Sequence, residues 1–156
     1  MKEIERKYLV SDDSFIAQAV SSQRIAQGYL TMRRVTARVR VYGDKGYITF
    51  KGKSKDRGLS RFEFEREIPI RCAEILLSRC SGTVEKIRHL VPYEGYTWEV
   101  DQFTGRNCGL VVAEVEMQST TENPPLPEWV WREVTADYHY RNSYLVQRPY
   151  TEWFDK

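Results

Sequence analysis

The sequence is poor in residues that bind soft metals, and it has no long apolar run. Only three of its 156 residues are Cys and two are His. Cys72, Cys80 and Cys108 lack CxxC spacing. His89 and His139 lie far apart, so the sequence excludes a clustered zinc or iron–sulfur site. No apolar stretch approaches the roughly 20 residues that a membrane-spanning helix needs. We therefore expect a soluble protein with reduced, structural cysteines.

The chain also lacks a large excess of charge of either sign. Its 24 basic and 22 acidic residues leave a formal net charge of +2, which indicates no general attraction to nucleic acid. The 41% hydrophobic and 13% aromatic content argues against disorder. No apolar signal region follows Met1, Lys2 and Glu3, which favours the cytoplasm. We expect no nucleic-acid or membrane partner, and the sequence leaves both a monomer and a homodimer open.

No internal repeat, low-complexity tract or flexible linker divides the chain. A length of 156 residues fits one domain with a sizeable core, so we expect a single domain over residues 1–156. The prolines of QSTTENPPLPEW, residues 118–129, indicate a loop inside that domain. GKSK at 52–55 is not a phosphate-binding P-loop, because the glycine four residues before its GK pair is missing.

Three segments have helical spacing. SDDSFIAQAV, residues 11–20, opens with Ser and Asp residues that cap helices and predicts a short first helix. CAEILLSRC, residues 72–80, predicts a second. A third is predicted to start near Thr135 and to run through DYHYRNSYLV, where apolar and aromatic residues recur at helical intervals.

The remainder of the chain alternates charged and apolar residues with a period of two, which is typical of strands. The opening MKEIERKYLV places Glu3, Glu5 and Lys7 on one face of an extended strand. The same pattern recurs in TARVRVYG and GYITFKGK, which the hairpin-type turn GDKG joins, and then in SRFEFEREI, VEKIRHLV, YTWEVDQF and VVAEVEM. On an exposed antiparallel sheet such charged faces meet water, so each strand alone has an ordinary explanation.

The complete set of charged faces favours a different explanation. Its doublets are nearly pure acid or pure base, whereas an exposed sheet usually mixes in Ser, Thr and Gln. If the sheet closes on itself, helices can cover its apolar outer face while the charges line the interior. Buried acids and bases are costly without a ligand that uses both. A polyphosphate with a divalent cation is such a ligand, because Arg and Lys match phosphate oxygens and carboxylates match Mg²⁺ or Mn²⁺.

An ordered series of motifs along almost the whole chain resembles the CYTH superfamily of triphosphate tunnel metalloenzymes. The series comprises ExExK at Glu3, Glu5 and Lys7, RVR at 38–40, TFKGK at 49–53, RFEFEREI at 61–68, EKIR at 85–88, EVD at 99–101, AEVE at 113–116 and EVTAD at 133–137. The resemblance implies an α+β, mainly β fold: a closed eight-stranded antiparallel β-barrel, or tunnel, with helices packed outside. It also implies a metal-dependent triphosphate site inside that barrel.

The resemblance further implies a role for each charged residue of these motifs. The ligands of Mg²⁺ or Mn²⁺ would be Glu3, Glu5, Asp101, Glu114 and Glu116, with Glu63 or Glu65 at or near the hydration shell. The phosphate-binding residues would be Lys7, Arg38, Arg40, Lys51, Lys53, Lys86 and Arg88, with Arg61 as an eighth. The residues acting in catalysis would be Lys7, Arg40 and Glu114, with Glu114 accepting a proton from the attacking water.

The resemblance favours an enzyme that hydrolyses a triphosphate, with inorganic tripolyphosphate as the first choice of substrate. Thiamine or nucleoside triphosphates are alternative substrates. A class IV-type adenylate cyclase would grip the phosphates in a similar way, but it would also need a base pocket. A polyphosphate binder without catalysis is a weaker alternative, because binding requires the basic residues alone and not the paired carboxylates.

Overall fold

An antiparallel sheet of nine strands dominates the part of the chain that the computed structural model describes, which is residues 2–31, 36–52 and 60–154. The strands are β1 Lys2–Val10, β2 Ser21–Thr31, β3 Thr36–Tyr42, β4 Lys45–Lys51, β5 Ser60–Ile68, β6 Thr83–Tyr93, β7 Tyr96–Phe103, β8 Val111–Glu116 and β9 Val130–Glu133. The α-helices are α1 Phe15–Gln18, α2 Ile70–Ser78 and α3 Asn142–Gln147, and single 3₁₀ turns lie at Gly105–Asn107, Tyr138–Tyr140 and Tyr150–Glu152. The mainly β expectation is confirmed.

The strands are ordered β5-β4-β3-β2-β6-β7-β8-β1-β9, and β1 also pairs with β5. One edge of β1 pairs with β8 from Glu5 to Leu9. Its other edge is shared: Lys2–Ile4 pairs with β5, and β9 pairs beside Tyr8 and Val10. The alternating pattern predicted seven of these strands and missed β2 and β9. Strand β9 has four residues, forms only two residue pairs with β1 and follows the proline-rich loop. The sheet has one strand more than the eight that the family resemblance implies.

The apolar face of the sheet packs under helices and loops. Phe15 of α1 contacts Trp129 edge-to-face at 5.8 Å between ring centroids, and Trp129 contacts Trp98 in the same way at 5.8 Å. Helix α2 approaches β4 closely, since a Cβ on Gly46 would lie 2.7 Å from that of Ala73. Burying these aromatic side chains supplies a large part of the driving force for folding.

A second apolar cluster closes one end of the charged face. Its buried members are Val84, Phe103, Leu110, Val112 and Leu145. Val84, Phe103 and Val112 each lie two residues from a charged residue of the same strand and therefore share its face. Leu145 brings α3 against them. The charged face thus ends at an apolar floor formed by these five residues.

The predicted helices have mixed outcomes. The first two are confirmed, at α1 and α2. The third begins at Asn142 and not near Thr135, because the Asp137 side chain accepts a hydrogen bond from the backbone of His139 and Arg141 is extended, with ψ at 140°. An Asx-type turn of this kind competes with helix formation. Among the described residues, the helices are all too short or too polar to cross a membrane.

Candidate active site

The charged faces of the strands surround a cavity of about 420 Å³. Its lining is almost entirely polar, because alternate residues of β1, β3, β4, β5, β7 and β8 point the same way. The described lining residues are Glu3, Glu5, Lys7, Tyr29, Arg38, Arg40, Lys51, Gly52, Glu63, Glu65, Arg88, Glu99, Glu114, Glu116, Arg141, Asn142 and Ser143.

The wall formed by β1 and β8 is mainly acidic. Glu5 faces Glu116, and Lys7 faces Glu114, across this strand pair. The Lys7 ammonium lies 3.6 Å from Oε1 of Glu114. Burial opposes ionisation of Glu114, but Lys7 and Arg88 hold its pKa well below its usual range. Burial and the charge of Glu114 raise the pKa of Glu5 well above its ordinary value.

A second wall, on β3 and β4, carries Arg38 and Arg40. Arg40 Nη2 donates to Oε1 of Glu65 at 3.0 Å, and Thr49 donates to the same oxygen at 2.8 Å. Arg38 Nη2 lies 3.5 Å from that oxygen. Burial, together with Arg38 and Arg88, lowers the pKa of Arg40 to about 10. Such a cluster of like charges favours the binding of an anion.

Lys51 joins the two walls at the β1–β5 side of the cavity. Its ammonium lies 3.4 Å from Oε2 of Glu3 and 3.8 Å from Oε2 of Glu63. Burial lowers the pKa of Lys51, although Glu3 and Glu63 oppose that shift. Lys51 therefore offsets part of the repulsion between these two neighbouring carboxylates.

A buried ion pair network lies beneath the cavity. Lys86 donates to Oδ2 of Asp101 at 2.6 Å, and Arg88 binds both oxygens of Asp101 through Nε at 2.8 Å and Nη2 at 2.9 Å. The Lys86 and Asp101 side chains are 1% and 2% exposed. Burial lowers the pKa of Lys86 to about 8. Burial opposes ionisation of Asp101 as well, but Arg88 and Lys86 lower its pKa below the ordinary value.

Two guanidinium donors of the cavity residues have no hydrogen-bond partner among the described residues. Arg38 Nε and Arg40 Nε are buried without a hydrogen bond in the described part of the protein. A buried unsatisfied donor is costly unless a ligand completes it. Phosphate oxygens are suitable acceptors for such guanidinium groups.

The structure brings together nine of the thirteen residues expected at the site. The nine that line the cavity are Glu3, Glu5, Lys7, Arg38, Arg40, Lys51, Arg88, Glu114 and Glu116. Asp101 and Lys86 do not line it, because each is engaged in the buried network below. Lys53 and the side chain of Arg61 lie outside the described residues.

Several lining residues had no predicted site role, and among them are Glu99, Arg141, Asn142 and Ser143. Glu99 accepts a hydrogen bond from Arg88 Nη1 at 2.8 Å. Arg141, Asn142 and Ser143 come from the start of α3, and Asn142 Oδ1 accepts from Lys86 at 3.2 Å. Strand periodicity could have indicated Glu99, but no local pattern reveals where a short helix near the chain's end docks.

The carboxylates of the acidic wall fit a hard divalent cation. Two neighbouring carboxylates with no cation between them cannot both ionise easily, and the opposite pKa shifts of Glu5 and Glu114 reflect this. Oxygen donors of this type suit Mg²⁺ or Mn²⁺. In the described ranges, no three His, Cys, Asp or Glu side chains are already grouped around one point. The chemical type of the oxygen donors, and not a preformed coordination geometry, therefore indicates the cation.

Known proteins share both the sequence and the fold. The CYTH domain family matches residues 1–150. This chain belongs to the CYTH family. An inorganic triphosphatase of Acetivibrio thermocellus is 47% identical to this CYTH protein over 152 residues, which cover 96% of each chain. An inorganic triphosphatase of Nitrosomonas europaea is 35% identical over 153 residues, which cover 94% of this chain and 97% of the relative.

A crystal structure of an inorganic triphosphatase resembles this CYTH protein with a TM-score of 0.66. The two are 31% identical, and the match covers 92% of this chain and 93% of the other. The similarity therefore includes the strands that carry the cavity residues.

Proposed function

We propose that this CYTH protein is a metal-dependent inorganic triphosphatase, which hydrolyses tripolyphosphate to pyrophosphate and phosphate. The observation that carries the proposal is one cavity lined both by the carboxylates of β1 and β8 and by the arginines of β3. The two curated relatives named above are inorganic triphosphatases. An anionic chain bound to a divalent cation uses both walls at once.

We further propose that the sheet closes into the tunnel that the family resemblance implies. The support is the antiparallel pairing of β1 with β5, which matches Lys2 with Phe62, Glu3 with residue 61 and Ile4 with residue 60. This pairing joins the first strand in the order to the eighth. The closed arrangement would bring Glu3 and Glu63 to one side of Lys51.

The metal ligands in this proposal are Glu3, Glu5, Glu114 and Glu116. CYTH triphosphatases depend on metal in general, and Mg²⁺ or Mn²⁺ fits these oxygen donors. A bound cation would neutralise charge on the phosphate oxygens. Asp101 is proposed instead as a positioning residue, because both of its oxygens already hold Lys86 and Arg88.

The protein's own side chains align and neutralise the substrate. Arg38, Arg40 and Arg88 project donors into the cavity, and Lys7 adds an ammonium group beside Glu114. Phosphoryl transfer requires this positioning and charge neutralisation more than covalent chemistry. Despite burial, Lys7 and Arg88 lower the pKa of Glu114 and so hold it ionised. An ionised Glu114 is suited to bind a metal ion and to accept a proton from the attacking water.

The lining favours an inorganic substrate over a nucleotide. Among the described lining residues, Tyr29 is the one aromatic side chain, and Gln27 Nε2 donates to its hydroxyl oxygen at 3.0 Å. A nucleobase normally binds against apolar and aromatic surfaces.

We also propose that the protein is located in the cytoplasm, a reducing compartment, because Cys72, Cys80 and Cys108 are free.

A phosphate-release panel tests the proposal. Tripolyphosphate, ATP, GTP and thiamine triphosphate are each assayed with Mg²⁺ and with Mn²⁺, and cyclic nucleotide is measured in parallel. We expect the highest kcat/KM for tripolyphosphate. Formation of cyclic nucleotide would show that the protein is a cyclase and not a triphosphatase. A lack of turnover on all four compounds would favour a polyphosphate binder without catalysis.

Replacing Arg40 by alanine should raise KM for tripolyphosphate roughly tenfold to a hundredfold, the effect of losing a hydrogen bond to a charged group. Some loss of kcat is also expected if Arg40 tightens on the transition state. The melting temperature should not fall, because the variant removes the burial of a charge and its repulsion by Arg38 and Arg88, the causes of the lowered pKa of Arg40. The measurement is steady-state kinetics beside a thermal melt.

Arg24→Ala is the matched control for Arg40→Ala. Arg24 is an exposed arginine on the neighbouring strand β2 and does not line the cavity. It should leave KM unchanged. An unchanged KM in Arg40→Ala, or an equal rise in both variants, would remove Arg40 from the phosphate site.

A further inference from the structure

The Glu65 carboxylate occupies the anion position of the arginine wall. Its Oε1 accepts from Arg40 Nη2 at 3.0 Å and lies 3.5 Å from Arg38 Nη2. One carboxylate oxygen therefore stands between two guanidinium groups, where a phosphate oxygen would stand if both arginines bound it. Thr49 adds a third donor to this oxygen at 2.8 Å.

Glu65 is able to leave this position more easily than the arginines are. Its side chain is 34% exposed, whereas the Arg38 and Arg40 side chains are 9% and 10% exposed. Glu63, on the same strand, contacts Arg38 less closely, at 4.0 Å. A partly exposed carboxylate pays little desolvation and can exchange its partner for water.

We propose that Glu65 competes with phosphate groups for Arg38 and Arg40. An anion that binds these arginines must displace Glu65, so the carboxylate weakens anion binding at this wall. This prevents the products from being held as tightly as the bare arginines would hold them. Because equally tight binding of ground states does not accelerate turnover, a weaker grip on pyrophosphate favours repeated cycles.

The inference predicts a gain of affinity, which neither a metal-binding nor a merely structural role of Glu65 would give. Glu65→Gln removes the competing charge and keeps the side chain's size. We expect its dissociation constant for pyrophosphate to fall roughly tenfold, about the effect of removing one charge-assisted hydrogen bond that competes with the ligand. The measurement is isothermal titration calorimetry with pyrophosphate in EDTA, where no turnover occurs.

Glu67→Gln is the matched control. Glu67 lies two residues along β5 on the same face, is exposed and is not a lining residue of the cavity. The substitution changes the net charge equally, so a general electrostatic effect would tighten binding in both variants. A gain confined to Glu65→Gln supports the proposal, and an equal gain, no gain or weaker binding in Glu65→Gln overturns it.

A double variant tests whether the gain in pyrophosphate affinity depends on Arg40. In the Arg40→Ala background, Glu65→Gln should give little gain in pyrophosphate affinity, because a main partner for which Glu65 competes is then absent. If the double variant gains as much affinity over Arg40→Ala as Glu65→Gln gains over the parent, the proposal is contradicted. If Glu65→Gln melts below the assay temperature, Glu65→Asp takes its place: its shorter reach should give a smaller gain, and no gain then counts against the proposal.

The inference rests on the proposed function for the identity of the anion, but the two can fail separately. In the presence of Mg²⁺, inhibition of tripolyphosphate hydrolysis by added pyrophosphate should become stronger in Glu65→Gln. If neither the parent protein nor the variants hydrolyse tripolyphosphate while Glu65→Gln still binds pyrophosphate more tightly, the proposed function fails and the competition stands. Normal hydrolysis with no gain would reject the competition alone.

Discussion

Removal of divalent cations with EDTA should abolish tripolyphosphate hydrolysis, and Mg²⁺ or Mn²⁺ should restore it. The reason is the crowding of Glu3, Glu5 and Glu114, since burial and the neighbouring Glu114 charge raise the pKa of Glu5. A divalent cation would let these carboxylates ionise together. The measurement is phosphate release during titration of metal into chelated enzyme. Full activity in EDTA would contradict the proposed metal site.

The same titration has a second readout that does not depend on turnover. A cation that binds only the folded protein stabilises it by about 2.7 kcal/mol at a hundred times its dissociation constant. The melting temperature should therefore rise with added metal. Glu5→Gln should reduce both this rise and the restored kcat, whereas Glu85→Gln, at an exposed position on β6, should change neither. If added metal raises the melting temperature of Glu5→Gln as much as that of the parent, the cation does not bind at Glu5.

Asp101→Asn should lower the free energy of unfolding by about 3–5 kcal/mol, the range for removing one partner of a buried ion pair. The substitution keeps the side chain's shape but leaves Lys86 and Arg88 without their shared counter-charge. Lys86 already has its pKa lowered to about 8 by burial, so it would lose its proton more readily still. Denaturant unfolding measures the change.

Glu99→Gln is the control for Asp101→Asn. Glu99 lies two residues away on β7 and also accepts from Arg88, but its side chain is 36% exposed. The control should cost about 1 kcal/mol or less. If Asp101→Asn is as stable as the parent and instead needs much more metal for half-maximal activity, Asp101 ligates the metal and the positioning role is wrong.

The sequence revealed which residues share a face because that information is local. A period of two assigns Glu5 and Lys7, or Arg38 and Arg40, to one side of a strand whatever the rest of the chain does. Helix α2 was equally visible, because its apolar residues recur at helical spacing within nine residues. The mainly β fold and most of the cavity lining followed from these two patterns and the family resemblance.

The sequence did not reveal how deep each residue lies along that face. Asp101 and Glu99 have the same periodicity, yet the Asp101 side chain is 2% exposed and the Glu99 side chain is 36% exposed. Depth depends on strand register and on the docking of α3, which are tertiary properties. The preference of Glu65 for Arg40 likewise depends on the β3–β4–β5 register, because Thr49 faces both Arg38 and Glu65.

The shared edges of β1 have a consequence for how the chain folds. This strand is synthesised before its partners β5, β8 and β9, and Glu5 faces Glu116 while Tyr8 faces Glu133. Pairings between such distant residues form slowly, because a long loop must close before any contact compensates for the lost chain entropy. The strand that carries Glu3, Glu5 and Lys7 therefore pairs with β8 and β9 late, and the cavity can assemble only after β8 and α3 have been synthesised.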